Sequence, residues 1–204
     1  MIQTKREVRM ELSPLARQRL ERIGKLSPAE QQELSDERET EAVLSPFFAG
    51  TSNADELWQK VKALSEHRGE EIIRRIQMRL LDTVRLHTGE DDFNRMGEAL
   101  LALETLKGSR AYSTIEMLLG SIASLRQRYA EMRQQAYEQL RQQVDQQVRA
   151  QSDEARRQGL LMDTESTVEA SVKSTREWHD FISKHDAAAQ EALNDYVSRI
   201  EASL

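Results

Sequence analysis

Apolar residues between Tyr112 and Gln158 recur at alternating spacings of three and four residues. The repeat begins with Ile115, Leu118, Ile122, Leu125, Tyr129, Met132 and Ala136. These spacings form the a/d seam of a coiled coil, and charged residues occupy many of the other positions. No proline interrupts the stretch. It therefore predicts one helix roughly 70 Å long, far longer than the average helix of a globular protein.

The second half of this helix has a lighter apolar seam. After Ala136 the repeat slips by one position and continues through Tyr137, Leu140, Val144 and Val148, in a segment rich in glutamine. The changed spacing resembles an eleven-residue repeat, which locally unwinds a left-handed supercoil. We expect a solvated helix here, with an apolar stripe that the rest of the chain covers only in part.

A second long helix is predicted after Gly159, where apolar residues resume helical spacing and continue to Ile200. Two helices of similar length joined by a short turn predict an antiparallel coiled-coil hairpin over residues 112–204. The first helix carries a small excess of Arg and Lys, and the second an excess of Asp and Glu. Opposite charges favour this pairing and its orientation.

The length of the turn sets the register of the predicted hairpin. A short turn that places Gln158 opposite Thr164 brings Tyr129 near Leu193. The side chains of the two helices interdigitate in this way only if the helices stay in contact along their whole length.

Residues 51–108 are the most hydrophobic part of the chain and predict the compact core. Asn53 or Ser52 is a suitable N-cap for a helix, and Asp55 and Glu56 follow at its positive end. Glycine at 69 breaks or bends this helix, and glycines at 89 and 108 mark further helix ends. Together, residues 51–204 predict an elongated helical bundle.

Residues 1–50 differ from the rest because they contain all three prolines, each preceded by serine. Ser-Pro is a common helix start, and Ser27 with Glu30 completes a capping box. Two short helices are predicted, at about 14–23 and 28–41. Their apolar content is too thin for independent stability. The segment is either an arm that lies on the bundle, which we favour, or a partly disordered tail.

The densest apolar cluster of this arm ends in Phe47 and Phe48. One interpretation is an anchor that fixes the arm to the bundle. The other is a docking motif for a partner, because exposed pairs of phenylalanine are uncommon on soluble monomers.

Composition supports an all-α fold and excludes several functional classes. Aromatic residues make up only 5% of the chain, and Gly and Pro are few, which suits helices better than sheets. A net charge of −6 argues against nucleic-acid binding. The longest uncharged run, residues 42–54, is too short to span a membrane and contains a proline. There is no cysteine, so the redox compartment cannot be read from thiols. Because no signal-peptide pattern or membrane span is present, we expect a soluble cytoplasmic protein.

The sequence contains no convincing catalytic, metal or cofactor motif. The four histidines, at 67, 87, 179 and 185, do not form Glu-x-x-His or His-Glu-x-x-His patterns. No glycine-rich phosphate loop is present, and no serine has a recognisable His or Asp partner. We therefore predict a protein without enzymatic activity, cofactor or metal.

The long hairpin predicts a non-catalytic adaptor, stalk or assembly protein that acts through coiled-coil contacts with a protein partner. Self-association as a homodimer is the simplest such contact. The predicted partner-binding residues are Phe47, Phe48, Tyr137, Leu140, Val144 and Val148. The alternative is a compact helical domain that binds a ligand or catalyses a reaction in a pocket among residues 57–106.

Overall fold

The computed structural model describes residues 27–108, 110–157 and 163–204, and its regular structure within these ranges is entirely helical. The all-α prediction is confirmed. The helices of the described ranges are α1 Pro28–Phe48, α2 Ala54–Arg68, α3 Glu70–Leu81, α4 Glu90–Lys107, α5 Tyr112–Arg157, α6 Thr164–Ser174 and α7 Arg176–Glu201. The short helix predicted at 14–23 lies outside the described residues.

Helix α1 begins at the predicted capping box. The Ser27 side chain accepts a hydrogen bond from the Glu30 N–H, and the Glu30 carboxylate accepts one from the Ser27 N–H. The helix does not end near residue 41 as predicted, but continues through Pro46 to Phe48. It continues because Val43, Leu44 and Phe47 extend its apolar face into the core, and their burial outweighs the cost of a late proline.

Gly69 separates α2 from α3. Its backbone has φ +78° and ψ −170°, a conformation that is essentially restricted to glycine. The sequence left open whether this glycine breaks or bends the helix, and the structure shows a break. Helix α3 then ends at Leu81. We expected helical structure up to Gly89, but residues 82–89 form turns, in which Val84 and Leu86 are buried.

One large apolar cluster contains residues from each of the first five helices, from the turn segment 82–89 and from the C-terminal part of α7. Its fully buried members include Leu44, Leu57, Ile76, Leu80, Leu100, Leu103, Ile115, Ile122 and Ile200. A polar pair lies inside this core: Gln77 Nε2 donates to Glu104 Oε2 over 2.8 Å, and Lys107 Nζ lies 3.3 Å from the same oxygen. Gln77 and Glu104 are 0% and 1% exposed, so the pair is desolvated.

The 46-residue helix α5 packs against both α6 and α7. The register differs from the predicted one. Tyr129 hydrogen-bonds to Asp186, one heptad before the predicted neighbour Leu193, and Ser152 contacts Thr164. The last turns of α5 therefore extend beyond the start of α6. A shift of one heptad preserves the apolar pattern, so the sequence does not distinguish the two registers.

The continuous helix predicted after the turn is divided at Thr175. Its φ of −67° and ψ of 146° are extended, and its side chain accepts a hydrogen bond from the Trp178 N–H. Thr175 thus ends α6 and caps α7. Beyond this break, α5 and α6 share a second, smaller apolar cluster formed by Val144, Val148, Val168 and Val172.

Candidate functional site

An open groove of about 380 Å³ lies where the turn segment 82–89 and the α6–α7 junction meet the middle of α5. It is lined by Leu86, His87, Tyr129, Ala130, Arg133, Gln134, Tyr137, Lys173 and Trp178. We call it the aromatic groove, because rings form its floor and walls. It combines side chains from three separate parts of the chain.

Tyr129 forms the floor of the aromatic groove and is only 2% exposed. Its hydroxyl donates a hydrogen bond to Asp186 Oδ1 on α7, and the His87 ring lies at its face, 5.7 Å away between centroids. Burial, and then the hydrogen bond to Asp186, raise the pKa of Tyr129 to about 12. The hydroxyl is therefore neutral at physiological pH and is committed to holding α7 against α5.

Tyr129 should ionise only at strongly alkaline pH. Its pKa rises from 10.0 unfolded to about 12 folded, so its stabilising effect is complete below pH 10 and is lost as the pH rises towards 12. An alkaline titration followed by phenolate absorbance should show a late step near pH 12. The late step should disappear in Tyr129→Phe. A late step that persists in this variant would show that the assignment is wrong.

Trp178 forms one wall of the groove. Its ring meets Tyr137 edge-on, with centroids 5.8 Å apart, and stacks on Phe181 at 5.9 Å. The helix break at Thr175 places Trp178 in the first turn of α7, facing α5. Aromatic pairs of this geometry add to the energy of burial and fix the orientation of the rings.

Positive charge lies along the rim. The Arg133 guanidinium stands 6.0 Å from the Trp178 ring centroid, in cation–π geometry. Across the parts of the chain that the structure describes, Arg133 has no carboxylate within ion-pair distance. Lys173 also lines the groove, but it pairs with Glu169 at 2.6 Å. Arg133 is therefore the rim cation that is available to an incoming anionic group.

The turn that carries His87 is fixed to α5 by Arg126. This guanidinium lies 4.5 Å from the Phe93 ring centroid and donates to the carbonyls of Leu86 and Thr88. Burial lowers the pKa of Arg126. The groove wall formed by the turn is thus held by hydrogen bonds and by stacking, and it keeps its shape without a ligand.

The groove offers rings for stacking and a guanidinium for anion binding, and the Tyr129 hydroxyl is already hydrogen-bonded. Among the described residues, no cluster of three or more His, Asp or Glu side chains could hold a metal ion. None of the helices in these ranges is long and apolar enough to cross a membrane.

The two phenylalanines of the predicted site have different environments. Phe47 is 1% exposed and packs in the core, as an anchor would. Phe48 is 42% exposed and meets Phe47 edge-on, with centroids 6.1 Å apart. Only Phe48 therefore presents a surface on which a partner could bind.

The other four predicted residues lie along the contact between α5 and α6. Tyr137 lines the aromatic groove, and Leu140 packs on the four-valine cluster. Val144 and Val148 are 9% and 3% exposed, so a partner could reach them only after α5 and α6 separate. The assignment of all four residues to a partner surface stays a prediction, and the structure shows that α6 already covers the two valines.

Sequence reasoning did not identify the groove or its rim. Tyr129 was predicted as a seam residue, and neither Trp178 nor Arg133 was singled out. A usable signal existed in the sequence: Tyr129, Arg133 and Tyr137 are spaced by four residues and share one helix face. The turn and the helix break, which complete the groove, carry no such signal.

A sequence model of a family of unknown function, DUF6657, matches residues 58–202. The match covers well over half of the chain, so the protein belongs to this family. Helix α1 lies outside the matched region. No curated protein and no solved structure matches the chain.

Proposed function

We propose that the protein is a non-catalytic helical adaptor or assembly protein that binds another protein through the aromatic groove. One observation carries the proposal: Arg133, which forms no ion pair with any residue that the structure describes, stands at the open edge of a groove walled by Tyr137 and Trp178. Trp, Tyr and Arg are the residues most enriched among those that dominate the binding energy of protein interfaces.

The design of the groove matches that of an interface hot spot. Its rings are fixed by contacts within the chain, so little conformational entropy is lost when a partner docks. The exposed rim consists of His87, Arg133, Gln134 and Lys173, which can form polar contacts around an apolar centre. An acidic side chain on the partner is the natural counterpart of Arg133.

The long hairpin supports an adaptor role in a second way. At about 1.5 Å per residue, 46 residues of α5 extend roughly 70 Å. The main core reaches along α5 only to Tyr129, and the segment beyond is held by aromatic contacts and the four-valine cluster. An elongated coiled-coil hairpin of this kind would present surface to a partner or to a second copy of the chain, and we propose a homodimer as its simplest assembly.

The alternative, a ligand pocket among residues 57–106, has less support. Leu57, Val61, Ile76, Leu80 and Leu100, which would line such a pocket, are 0% exposed and pack against one another. Residues of this segment do line two grooves, one of about 660 Å³ at Phe93 and one of about 340 Å³ along Gly97, but both are open and are shared with α5. Open grooves of this kind suit a protein segment better than an enclosed small molecule.

Site-specific photo-crosslinking tests the proposal. A photoreactive phenylalanine analogue placed at Gln134, on the groove rim, should give a discrete crosslinked product in the native host cells. A product of twice the chain mass would identify a second copy as the partner. The matched control is Arg128, an exposed residue of the same helix that does not line the groove. No product from Gln134, or the same product from both positions, would contradict the proposal.

A further inference from the structure

Helix α1 is attached to the bundle in two different ways. Its C-terminal half is anchored by Val43, Leu44 and Phe47, which are buried in the core. Its N-terminal half contains no buried residue before Thr40. In the described part of the chain, the long-range polar contacts of this half are made with two arginines, Arg68 and Arg75.

Arg68, at the end of α2, holds the middle of α1. Its Nη2 lies 2.6 Å from Glu39 Oε1 and donates to Ser35 Oγ over 3.0 Å, and its Nε donates to the other Glu39 oxygen over 3.1 Å. Asp36 lies 3.6 Å from the same guanidinium. The hydrogen bonds from Arg68 hold the pKa of Glu39 below its usual value.

Arg75, on α3, holds the start of α1. Its two terminal nitrogens donate to the two oxygens of Glu33 over 2.7 and 3.0 Å. Such a two-pronged pair is the geometry in which arginine recognises a carboxylate most specifically. It is nevertheless open to water, because the Glu33 side chain is 64% exposed. Its bidentate geometry makes this pair stronger than an ordinary exposed ion pair, but it holds α1 by charge and not by apolar burial.

A groove of about 440 Å³ remains between α1 and α3, next to these pairs. Arg79 and Arg75 line one side of it, and Leu34, 38% exposed, lies on the other. Arg79 is itself 54% exposed, and its nearest carboxylate, on Asp82, is 4.0 Å away. Arg68, Arg75 and Arg79 thus form a basic surface, which we call the α2–α3 basic surface.

We infer that the α2–α3 basic surface is a docking site for an acidic amphipathic helix of another protein, and that the N-terminal half of α1 occupies it until it is displaced. Charge complementarity identifies the occupant. Residues 28–41 contain six acidic residues and one basic residue, so the chain's own helix shows the chemistry that the surface accepts. The apolar anchor at Phe47 keeps α1 attached while its N-terminal half is displaced.

Displacement is possible because the two halves of α1 depend on different forces. The N-terminal half competes from a high effective concentration, but its contacts with Arg68 and Arg75 are polar and it contains no buried residue before Thr40. A partner helix that presents the same carboxylates together with an apolar side chain facing α3 gains burial that this half of α1 does not have. The N-terminal half of α1 and the partner helix would therefore compete for the α2–α3 basic surface.

A labelled, end-blocked peptide of residues 27–42 serves as the probe acidic helix, with binding to the full chain followed by fluorescence anisotropy. Glu33→Gln with Glu39→Gln removes the internal competitor and should tighten peptide binding at least tenfold over the natural chain. The charge-matched control is Glu116→Gln with Glu191→Gln, two exposed residues of α5 and α7 that form no ion pair within the described ranges and do not line this groove. This control should leave the affinity unchanged.

Adding Arg68→Gln and Arg75→Gln to the variant that carries Glu33→Gln and Glu39→Gln should abolish the tightened binding. Arg75→Gln alone, at a partly exposed position, gives the same test if the combined variant does not fold. The inference would be overturned if the peptide bound the natural chain and the double glutamine variant equally well. It would also be overturned if tight binding survived the loss of Arg68 and Arg75. A failure here leaves the aromatic groove untouched, because the two surfaces share no lining residue.

Discussion

Replacing Glu104 with alanine is expected to lower the free energy of unfolding by about 3–5 kcal/mol, the cost of breaking a buried ion pair from one side. The carboxylate is 1% exposed and lies 2.8 Å from Gln77 Nε2 and 3.3 Å from Lys107 Nζ. Without it, the buried Gln77 amide loses its 2.8 Å acceptor, and the largely buried Lys107 ammonium loses its carboxylate and keeps the Leu204 carbonyl at 2.7 Å. Urea unfolding followed by circular dichroism measures the loss.

A matched variant separates the effect of losing the ion pair on the free energy of unfolding from the effect of losing side-chain volume. Changing Gln77, Glu104 and Lys107 together to leucine or methionine removes the three polar side chains and retains most of the packing volume. Such replacements are often neutral or stabilising, by about 1–4 kcal/mol. The triple variant should therefore be more stable than Glu104→Ala alone. A loss below about 1 kcal/mol for Glu104→Ala, the level of an exposed pair, would mean that the pair is not desolvated.

Trp178→Ala is expected to cost about 3–5 kcal/mol, as is typical of a buried aromatic residue replaced by alanine. Trp178 is 8% exposed and contacts Tyr137, Phe181 and Arg133. Its removal takes away one wall of the aromatic groove, so partner binding should be lost together with stability. Hydrogen exchange should locate the loss in α6, α7 and the facing part of α5.

The other tryptophan provides the control. Trp58 is half-buried, donates to Thr105 Oγ1 over 3.1 Å and has Lys62 over its ring. Trp58→Ala should cost only about 1–2 kcal/mol and should leave partner binding intact, because Trp58 lies outside the groove. Equal losses of stability from Trp178→Ala and Trp58→Ala would contradict the prediction that Trp178 contributes more to the stability of the fold.

The sequence predicts local structure well where a short motif determines it. Ser27 and Glu30 give the start of α1, and Gly108 gives the end of α4, because capping depends on residues a few positions apart. The a/d spacing likewise predicts α5 almost to the residue. In each case the signal and its structural result lie within the same few turns.

Features that depend on distant contacts were not predictable. The extension of α1 through Pro46 depends on the burial of Phe47 in a core whose other residues are far away in the sequence. The hairpin register differs by about one heptad, because an a/d repeat looks the same after that shift. The break at Thr175 lies within an unbroken apolar pattern, and only the packing of Trp178 distinguishes it.

The aromatic groove illustrates the same limit at the level of function. The sequence predicts Tyr129 and Tyr137 as seam residues. Whether the ring of a seam residue is buried or lines a groove depends on which residues of other elements pack against it. The turn at His87, fixed by Arg126, provides one wall and leaves the space open. Composition and periodicity carry no information about that placement.

The affinity of the partner for charge-reversed chains tests the central claim most directly. Partner protein recovered with the natural chain should bind Arg133→Glu at least tenfold more weakly, since truncation or reversal at a hot spot costs about 2 kcal/mol or more. Arg128→Glu, the same change five residues earlier on α5 and away from the groove, should bind as the natural chain does. Calorimetric titration of both variants gives the comparison. Equal affinities would show that the groove is not where the partner docks.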